Sequence, residues 1–512
     1  MKSYIYLMLS MCMGFLHAQK GFNKSYDLDN LGAGFSSIES SNDTIMAYGL
    51  IIDANVNMTG LLFSQIDSFG NIISSSAYFD KDGDNFSRPY QNSLIKLSDN
   101  SGYVAVGQLF NKANGYFIKY NNKAEVVLYR EYPDTTFTFN HFKEIKEISS
   151  NSFLITGNEA YKDDDISNGF VIKVNIEGDV IWEKKYYEIG KITALGSIVR
   201  KGINSFLICG QRTDRGNVPT SQRKYSNLIL EIDTLGSVLN TWSTNYSLNE
   251  LGVGDIELSK KGELIYNTLR GQYNEEFNQL YTQPLLIRRD TNFNLLSSDT
   301  FGELSPYPHN ISHIQLLNNN IMLIAGTIPQ KYPIEPITDE INSLSGWINK
   351  FDGSGDIVWT FIDTAFWSSI SGSNNVLYDV IELSSGSIIA CGYNRTNEPT
   401  PKDWGWLLKV SKDGCIDTLD CEVVNLETPH KLGISVYPNP ARDFIIFNIN
   451  DSELEFHSLI IYDSQGKIIS NYQNINLTKP FQWWCNGLPR GMYYYKLLTA
   501  TGSSVCGQII LE

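Results

Sequence analysis

The sequence predicts a protein built almost entirely of β-strands. Tyr occurs 29 times and Phe 25 times in 512 residues, whereas Pro occurs only 16 times. Ser, Asn, Gly and Asp separate short apolar runs, which is typical of strands joined by turns. Hydrophobic residues make up 42% of the chain and charged residues 19%, so the strands belong to a folded protein with ordinary cores.

The charge balance argues against nucleic acid as a partner. The formal net charge is -16 and the isoelectric point is near 4.9. Binding to phosphate backbones needs clustered Lys and Arg that release counterions, and the sequence contains no such cluster.

The N-terminus predicts export. Lys2 precedes an apolar run at 4–15 that is too short to cross a bilayer of roughly 30 Å, and Ala18 suits the residue before a signal-peptidase cut. We therefore expect a signal peptide at 1–19. An alternative makes Cys12 a lipid-anchored cysteine, but the residue before it is larger than a lipoprotein signal prefers. No later stretch approaches the roughly 18 apolar residues of a transmembrane helix.

A two-part unit recurs seven times along the chain. Its first part is an apolar strand that usually ends in Gly, at 45–49, 103–107, 153–157, 206–210, 264–268, 322–326 and 388–392. Its second part is a strand, a turn and a strand, at 60–74, 115–129, 169–183, 227–241, 283–297, 346–360 and 405–414. A further short strand precedes most first parts, so each unit predicts a four-stranded antiparallel sheet of about 45 to 65 residues, the size of a propeller blade.

Turn chemistry explains the recurring residues of the second part. Asp or Asn opens the turn because its side chain bonds the backbone that follows, and Gly near the end accepts a positive φ. The clearest pairs are Asp67 with Gly70, Asp233 with Gly236, and Asp352 with Gly355.

The last unit indicates how the repeats close. It stops at Gly414 without a fourth strand, whereas residues 20–28 resemble a fourth strand that lacks the other three. We therefore predict that residues 20–421 form a seven-bladed β-propeller closed by the N-terminal strand. The alternatives are six or eight blades, and a twisted stack without closure.

The pattern changes after the repeats. Residues 422–433 are predicted to be a linker, and residues 434–512 contain about seven short alternating strands. Pro438, Asn439 and Pro440 break the chain before the first strongly alternating strand, and Gly466 ends a hairpin turn. These features predict a small Ig-like β-sandwich.

Several ordered motifs in this C-terminal region resemble one family. They are the YPNP motif, the IYDSQGK segment at 461–467 and the LPRGMYYYKL segment at 488–497, with Tyr437, Pro438, Asn439, Pro440, Gly466, Gly491 and Tyr493 as the motif residues. Residues 434–512 are similar to the type A C-terminal sorting domain of the type IX secretion system. The resemblance implies recognition by the outer-membrane export machinery, passage through the periplasm, and a secreted or cell-surface location.

Export permits disulfides. The candidate pairs are Cys415 with Cys421, which would close a small loop, and Cys485 with Cys506, on strands predicted to be neighbours. Cys209 and Cys391 occupy the same place in two distant repeats, so we expect both to be buried and unpaired.

Few residues suggest metal chemistry. Asp80, Asp82 and Asp84 alternate as carboxylates do in loops that wrap Ca²⁺, but position 91, where an EF-hand loop has Glu, is Gln91. The alternative interpretation is a solvated turn between blades. His309 and His313 are predicted to lie in a loop after two prolines, which does not favour a metal site.

Two classes of function remain open, and no catalytic residue or cofactor site is predicted. The first is a non-catalytic binding module in which long loops at one rim, predicted at 211–226, 270–282 and 327–345, recognise glycan or protein. The second is a secreted polysaccharide hydrolase or lyase with carboxylates at the propeller mouth. Carboxylates about 5 to 10 Å apart in a deep pocket would favour the enzyme, and a carboxylate-poor mouth would favour binding. A structural spacer is a third alternative.

Overall fold

The computed structural model describes most of the repeat region and the core of the C-terminal region. The described residues are 21–416, 434–437, 441–449, 456–463, 468–473, 480–499 and 504–511, without 29–30, 42, 134–136, 162–166, 189–190, 215–222, 248–249, 276, 278, 308, 334–339, 364–372 and 397–401. The chain forms two compact units, Met1–Thr418 and Leu419–Glu512. We call them unit 1 and unit 2.

The described part of unit 1 begins with one strand, and six sheets of four consecutive strands and a seventh group of three follow. The first strand is β1 (Phe22–Tyr26). Sheet 1 contains β2 (Gly32–Ser41), β3 (Thr44–Asp53), β4 (Met58–Ile66) and β5 (Ile72–Tyr78). Sheet 2 contains β6 (Leu94–Lys96), β7 (Tyr103–Gln108), β8 (Gly115–Tyr120) and β9 (Val126–Tyr132). Sheet 3 contains β10 (Phe137–Ser149), β11 (Ser152–Tyr161), β12 (Ser167–Asn175) and β13 (Val180–Tyr186).

The same order repeats through the rest of unit 1. Sheet 4 contains β14 (Lys191–Arg200), β15 (Ser205–Asp214), β16 (Tyr225–Asp233) and β17 (Val238–Ser243). Sheet 5 contains β18 (Val253–Leu258), β19 (Leu264–Asn274), β20 (Gln279–Arg289) and β21 (Leu295–Thr300). Sheet 6 contains β22 (Asn310–Leu316), β23 (Met322–Pro333), β24 (Glu340–Phe351) and β25 (Ile357–Asp363). Sheet 7 contains β26 (Ser373–Glu382), β27 (Ile388–Thr396) and β28 (Lys402–Val410).

Each sheet is antiparallel and its strands pair in chain order. Sheets 6 and 7 are joined by a single parallel bridge between Leu344 and Asn374. The seven apolar segments predicted first are the second strands, and the predicted hairpins are the third and fourth strands. A 3-10 turn of three residues is described at Asn318–Asn320, so the all-β prediction is confirmed for the described part of the chain.

The N-terminal strand completes sheet 7. Strand β1 pairs antiparallel with β28, with Phe22 opposite Lys409 and Tyr26 opposite Gly405. The indole Nε1–H of Trp406 donates to the side-chain oxygen of Asn23 at 2.7 Å. The fourth strand of sheet 7 therefore comes from the opposite end of the repeat region.

Hydrophobic clusters fill the spaces between consecutive sheets. Stacked rings illustrate three of them: Phe63 on Tyr120 between sheets 1 and 2, Trp242 on Phe293 between sheets 4 and 5, and Phe301 on Trp347 between sheets 5 and 6. Another cluster joins Phe35 and Ile38 of sheet 1 to Ile389 and Leu407 of sheet 7. Apolar side chains are therefore buried between consecutive sheets, and one of the clusters contains residues of both sheet 1 and sheet 7.

The first strand of each sheet lies next to the first strand of the following sheet. These contacts run through β2, β6, β10, β14, β18, β22 and β26, and β26 contacts β2. Six of these strands are bulged where they pair with the second strand, at Phe35/Ser37, Phe142/Glu144, Leu195/Ile198, Val253/Ile256, Ile311/His313 and Leu377/Asp379. A bulge turns the side chain that follows it, so it aims a polar residue toward the neighbouring first strand.

The hairpin turns behave as the sequence predicts. In sheet 4, one carboxylate oxygen of Asp233 accepts the backbone amides of Leu235 and Ser237, both at 2.8 Å. Gly236 has a φ of 78°, a left-handed conformation in which a side chain is strained.

Unit 2 consists of two sheets around one core. Its strands are β29 (Ile434–Tyr437), β30 (Phe444–Ile449), β31 (Phe456–Asp463), β32 (Ile468–Gln473), β33 (Phe481–Trp484), β34 (Gly491–Thr499) and β35 (Ser504–Leu511). One sheet has the order β29-β30-β33 and the other β32-β31-β34-β35. Residues from both sheets, among them Phe447, Trp483 and Leu497, pack in a single buried cluster.

Candidate functional site

Each first strand of unit 1 has a buried polar residue within it or directly before it, and these residues form a row. At the position just before the buried Ile, Leu or Val of each first strand lie Ser37, Ser93, Glu144, Ser197, Asp255, His313 and Asp379. All seven are buried. We call this set the polar row. Buried polar groups need partners, and the charged members of the polar row find theirs in adjacent sheets.

The carboxylates of the polar row bind backbone amides of the next sheet. Asp379 of sheet 7 accepts the amide of Ile38 of sheet 1 at 2.9 Å. Asp255 of sheet 5 accepts the amide of Ile314 of sheet 6 at 2.8 Å. Glu144 of sheet 3 accepts the amide of Ile198 of sheet 4 at 3.3 Å. These contacts join sheets rather than present oxygens to solvent.

His313 lies between two of these carboxylates. Its Nδ1 is 2.5 Å from Asp379 Oδ1, and its Nε2 is 3.8 Å from Asp255 Oδ2. Burial lowers the pKa of His313, but the charge and hydrogen bond of Asp379 and the charge of Asp255 outweigh burial and raise that pKa to about 9. A protonated imidazole therefore links sheets 5, 6 and 7 at neutral pH.

A second group of charges lies around Lys146. Its Nζ is 3.8 Å from Glu144 Oε1, and the charge of Glu257 also acts on it. Burial raises the pKa of Glu144 to about 8, and burial raises the pKa of Glu257 to about 7 even though Lys146 opposes both shifts. These carboxyl groups hold protons more readily than exposed ones do.

A cavity of about 220 Å³ lies where the first strands begin. Its polar lining residues are Gln91, Lys143, Gln211, Asn267, Thr268 and Asn310. No Asp or Glu of the described residues lines it. We call it the Lys143 cavity. It lies at the same edge of the sheets as the hairpin between β19 and β20, because second strands end where first strands begin.

The segment before β6 reaches this edge of the neighbouring sheets. The guanidinium of Arg88 lies 4.3 Å from the ring centre of Tyr393 and 3.4 Å from Asp403, both in sheet 7. The Nδ2 of Asn92 lies 3.5 Å from Asp255 Oδ1 in sheet 5. The segment that connects sheet 1 to sheet 2 therefore contacts both sheet 7 and sheet 5.

Two of the long segments predicted as loops are largely strand. Residues 270–274 and 279–282 extend β19 and β20, and residues 327–333 and 340–345 extend β23 and β24. A second cavity, of about 320 Å³, lies beside the first of these hairpins and is lined by Tyr273, Glu275 and Tyr281 among others. Much of the third segment, at 215–222, lies outside the described residues.

The predicted calcium ligands have other partners. Lys112 Nζ lies 3.4 Å from carboxylate oxygens of both Asp80 and Asp82. Asp84 accepts the backbone amides of Asn111 at 3.2 Å and Lys112 at 3.1 Å. An ammonium group and backbone amides already satisfy these carboxylates, and no cluster of three metal-ligating side chains occurs in the described residues. The geometry gives the calcium prediction no support.

The prediction that both histidines lie in a loop was wrong for one of them. His309 comes just before β22, and its ring nitrogen Nε2 contacts the carbonyl oxygen of Thr282. His313 lies inside β22 and points into the polar row. The prolines at 306 and 308 come before β22 in the sequence, so they do not interrupt the strand that contains His313.

The cysteines divide into three cases. Cys209 and Cys391 are buried and free, as predicted. Cys415 is disulfide-bonded, and its predicted partner Cys421 lies outside the described residues. The predicted pairing of Cys485 with Cys506 is not formed. Cys485 is a free, buried thiol after β33, and β35, which carries Cys506, belongs to the other sheet of unit 2.

The sorting-domain motif residues lie at strand ends in unit 2. Tyr437 is the last residue of β29 and is exposed, and Gly491 is the first residue of β34 with a φ of 136°. Tyr493 is buried, and its hydroxyl donates to the carbonyl of Pro489 at 2.8 Å. Pro438, Asn439, Pro440 and Gly466 lie outside the described residues.

The polar row and the Lys143 cavity are absent from the sequence-based predictions. A signal exists in the short strand ahead of each apolar segment, where a polar residue precedes Ile or Val, as in Ser37-Ile38, His313-Ile314 and Asp379-Val380. Aligning these first strands with one another would have found the row.

The C-terminal region matches a known family. Residues 435–512 match the family model described as the secretion system C-terminal sorting domain. The predicted sorting domain is therefore confirmed, and it implies secretion through the type IX system. The described residues include no helix of the length and apolarity that a membrane span requires.

No curated protein matches the chain. Among solved structures, Drosophila Plexin A, in its complex with Semaphorin 1b, is similar with a TM-score of 0.38 and 7% identity over 77% of this chain and 86% of that one. The β-propeller domain of the Trilobed protease from Pyrococcus furiosus is similar with a TM-score of 0.38 and 9% identity over 73% of this chain and 93% of that one. Independently of these similarities, the strand pairing of unit 1 gives four-stranded antiparallel sheets, the arrangement of propeller blades.

Proposed function

We propose that the protein is an exported β-propeller of seven blades, closed by its N-terminal strand, that binds glycan or protein and does not catalyse a reaction. Residues 1–19 would be the signal peptide that begins this route, and the sorting domain would direct its final step. The finished protein would be secreted or held at the cell surface.

Ring closure is supported by three kinds of contact between sheets 1 and 7. The apolar cluster around Phe35 and Leu407 spans both sheets. Asp379 accepts the amide of Ile38, and the hydroxyl of Ser384 donates to Asp43 Oδ1 at 2.7 Å. Sheets packed in an open row would leave the first and last without these partners.

The binding role rests on one observation, the composition of the Lys143 cavity. In a closed ring this cavity lies at the mouth of the central channel. Amides, a hydroxyl and one lysine line it, and carboxylates are missing from its described lining. A glycosidase of the usual kind needs two carboxyl groups flanking the scissile bond. Amides and hydroxyls instead suit recognition of a polar ligand.

The three carboxyl groups of the polar row are occupied. Asp255, Asp379 and Glu144 each accept a backbone amide of the next sheet. A general acid or nucleophile must reach substrate, and these oxygens are buried within the contacts that join the sheets. This arrangement favours a structural role for them over the rival role in hydrolysis.

A glycan array and an activity screen on the same polysaccharides test the proposal. The mature chain is expected to retain specific glycans or proteins and to leave their chain lengths unchanged. The variant Gly196→Leu, which fills the Lys143 cavity, is expected to lose that retention. Release of new reducing ends by the wild type, or retention that survives Gly196→Leu unchanged, would contradict the proposed role.

A further inference from the structure

The Lys143 cavity contains a cation that is not part of an ion pair. None of the described carboxylates lies within salt-bridge distance of Lys143, although unit 1 has many such pairs. The ammonium lies 5.5 Å from the ring centre of Tyr90, and His141 and Glu144 are the titratable residues nearest to Lys143 in the sequence of β10. A half-buried ammonium without a counter-ion carries a desolvation cost that an anionic ligand would offset.

The size and lining of the cavity narrow the class of ligand. A volume of about 220 Å³ is below the roughly 300 to 1,000 Å³ of sites for drug-sized molecules, so one small ring fits rather than a chain. Side-chain amides of Gln91 and Gln211 provide donors and acceptors for hydroxyl groups. Apolar atoms of Leu195 and Ile311 provide a surface for the face of a ring.

We propose that the Lys143 cavity binds a single uronic acid unit, with the sugar carboxylate paired to Lys143 and sugar hydroxyls bonded to the side-chain amides of the lining. This inference rests on the binding function proposed above and specifies its ligand as an acidic glycan. The net charge of -16 does not favour acidic ligands at long range, so selectivity must come from this half-buried ammonium.

Four substitutions in the mature full-length chain distinguish the effect of the Lys143 charge from the effect of the shape of the cavity. They also distinguish both effects from a general loss of one positive charge. Lys143→Met removes the ammonium, and Lys143→Arg keeps a cation. Gly196→Leu adds apolar bulk to the lining of the cavity, and a Cβ at Gly196 meets its nearest atom, the carbonyl oxygen of Gly254, at an ordinary contact distance of 3.4 Å. Lys123→Met, at an exposed hairpin turn, is the matched control for lost charge.

Affinity for galacturonic acid, galactose and acetate is measured by ligand-observed NMR. The wild type and Lys123→Met are expected to bind galacturonic acid at least tenfold more tightly than galactose or acetate. Lys143→Met is expected to lose that preference, Lys143→Arg to retain part of it, and Gly196→Leu to bind none of the three.

The results that overturn the inference differ from those that overturn the proposed function. Equal affinity for galacturonic acid and galactose, a preference that survives Lys143→Met, or acetate binding as tight as galacturonic acid would each refute the uronic acid site. If the array still detects neutral glycans that Gly196→Leu abolishes, the binding function stands without this ligand. If the wild type binds nothing in either experiment, both proposals fail.

Discussion

The carboxylate of Asp379 accepts the backbone amide of Ile38 at 2.9 Å, although 341 positions separate the two residues in the sequence. The same carboxylate is bonded to His313 in the neighbouring sheet. One side chain thus ties sheet 7 to both of its neighbours, and similar contacts recur along the polar row.

Replacing Asp379 should destabilise unit 1 strongly. Asp379→Ala leaves a buried imidazolium and a buried amide without their acceptor, which costs about 3 kcal/mol. Urea unfolding of the mature chain measures the effect. Asp299→Ala, at an exposed position on the outer strand β21, is the control and should change the unfolding free energy by less than about 0.5 kcal/mol. Equal effects of the two substitutions would refute a joining role for Asp379.

Stability should fall as pH rises because of His313. Its pKa is about 9 in the folded chain against an ordinary value of 6.5. Between these values the folded chain holds a proton that the unfolded chain releases, so the stabilisation is complete below pH 6.5 and is lost as pH rises through 9. The loss amounts to at most about 3 kcal/mol.

His313→Gln isolates that contribution. Glu144, Glu257 and Lys143 titrate in the same range with shifted pKa values, and they are present in both proteins. The difference in unfolding free energy between wild type and variant should therefore shrink steadily from pH 6 to pH 10. A difference that stays constant over this range would mean that His313 is neutral in the folded chain.

Calcium and chelators should leave the melting temperature of unit 1 unchanged. Lys112 already pairs with Asp80 and Asp82, and Asp84 accepts the backbone amides of Asn111 and Lys112. Scanning calorimetry of the mature chain in Ca²⁺ and in EDTA tests this. A rise of several degrees in Ca²⁺ that disappears in Asp80→Asn would restore the calcium prediction.

Gly491 should be essential to the stability of the sorting domain. Its φ of 136° is accessible to Gly at little cost, and a side chain there is strained even though a Cβ would meet no atom within 4 Å. Gly491→Ala should destabilise unit 2 by about 1 kcal/mol or more. The exposed neighbour Arg490→Ala is the control. Equal melting curves for the two variants would contradict the assignment of strain to Gly491.

Local signals in the sequence predicted most of the architecture. The Gly-ended second strands, the Asp-to-Gly turns and the sorting-domain motifs each depend on a few adjacent residues, so they were recognisable. The polar row was not predicted because its members vary between Ser, Glu, Asp and His and find their partners in other sheets. The polar residues at 270–282 predict a loop, yet backbone pairing between β19 and β20 holds most of this segment in extended form. The disulfide between Cys485 and Cys506 was predicted because their strands were expected to be neighbours in one sheet. The sequence does not show which strands share a sheet, and in the structure these strands lie in different sheets.

The central claim, a closed ring in which the first and last sheets are neighbours, is tested most directly by a disulfide between Asp43→Cys and Ser384→Cys. The parent side chains are in contact, with Ser384 Oγ 2.7 Å from Asp43 Oδ1. Oxidation of the native mature chain should form this intramolecular cross-link in high yield, detected by mass spectrometry of the joined peptides. The pair Asp43→Cys with Asp233→Cys, which places the second thiol in sheet 4, should form none. Failure of the first pair to cross-link, in a chain that melts like the wild type, would contradict closure.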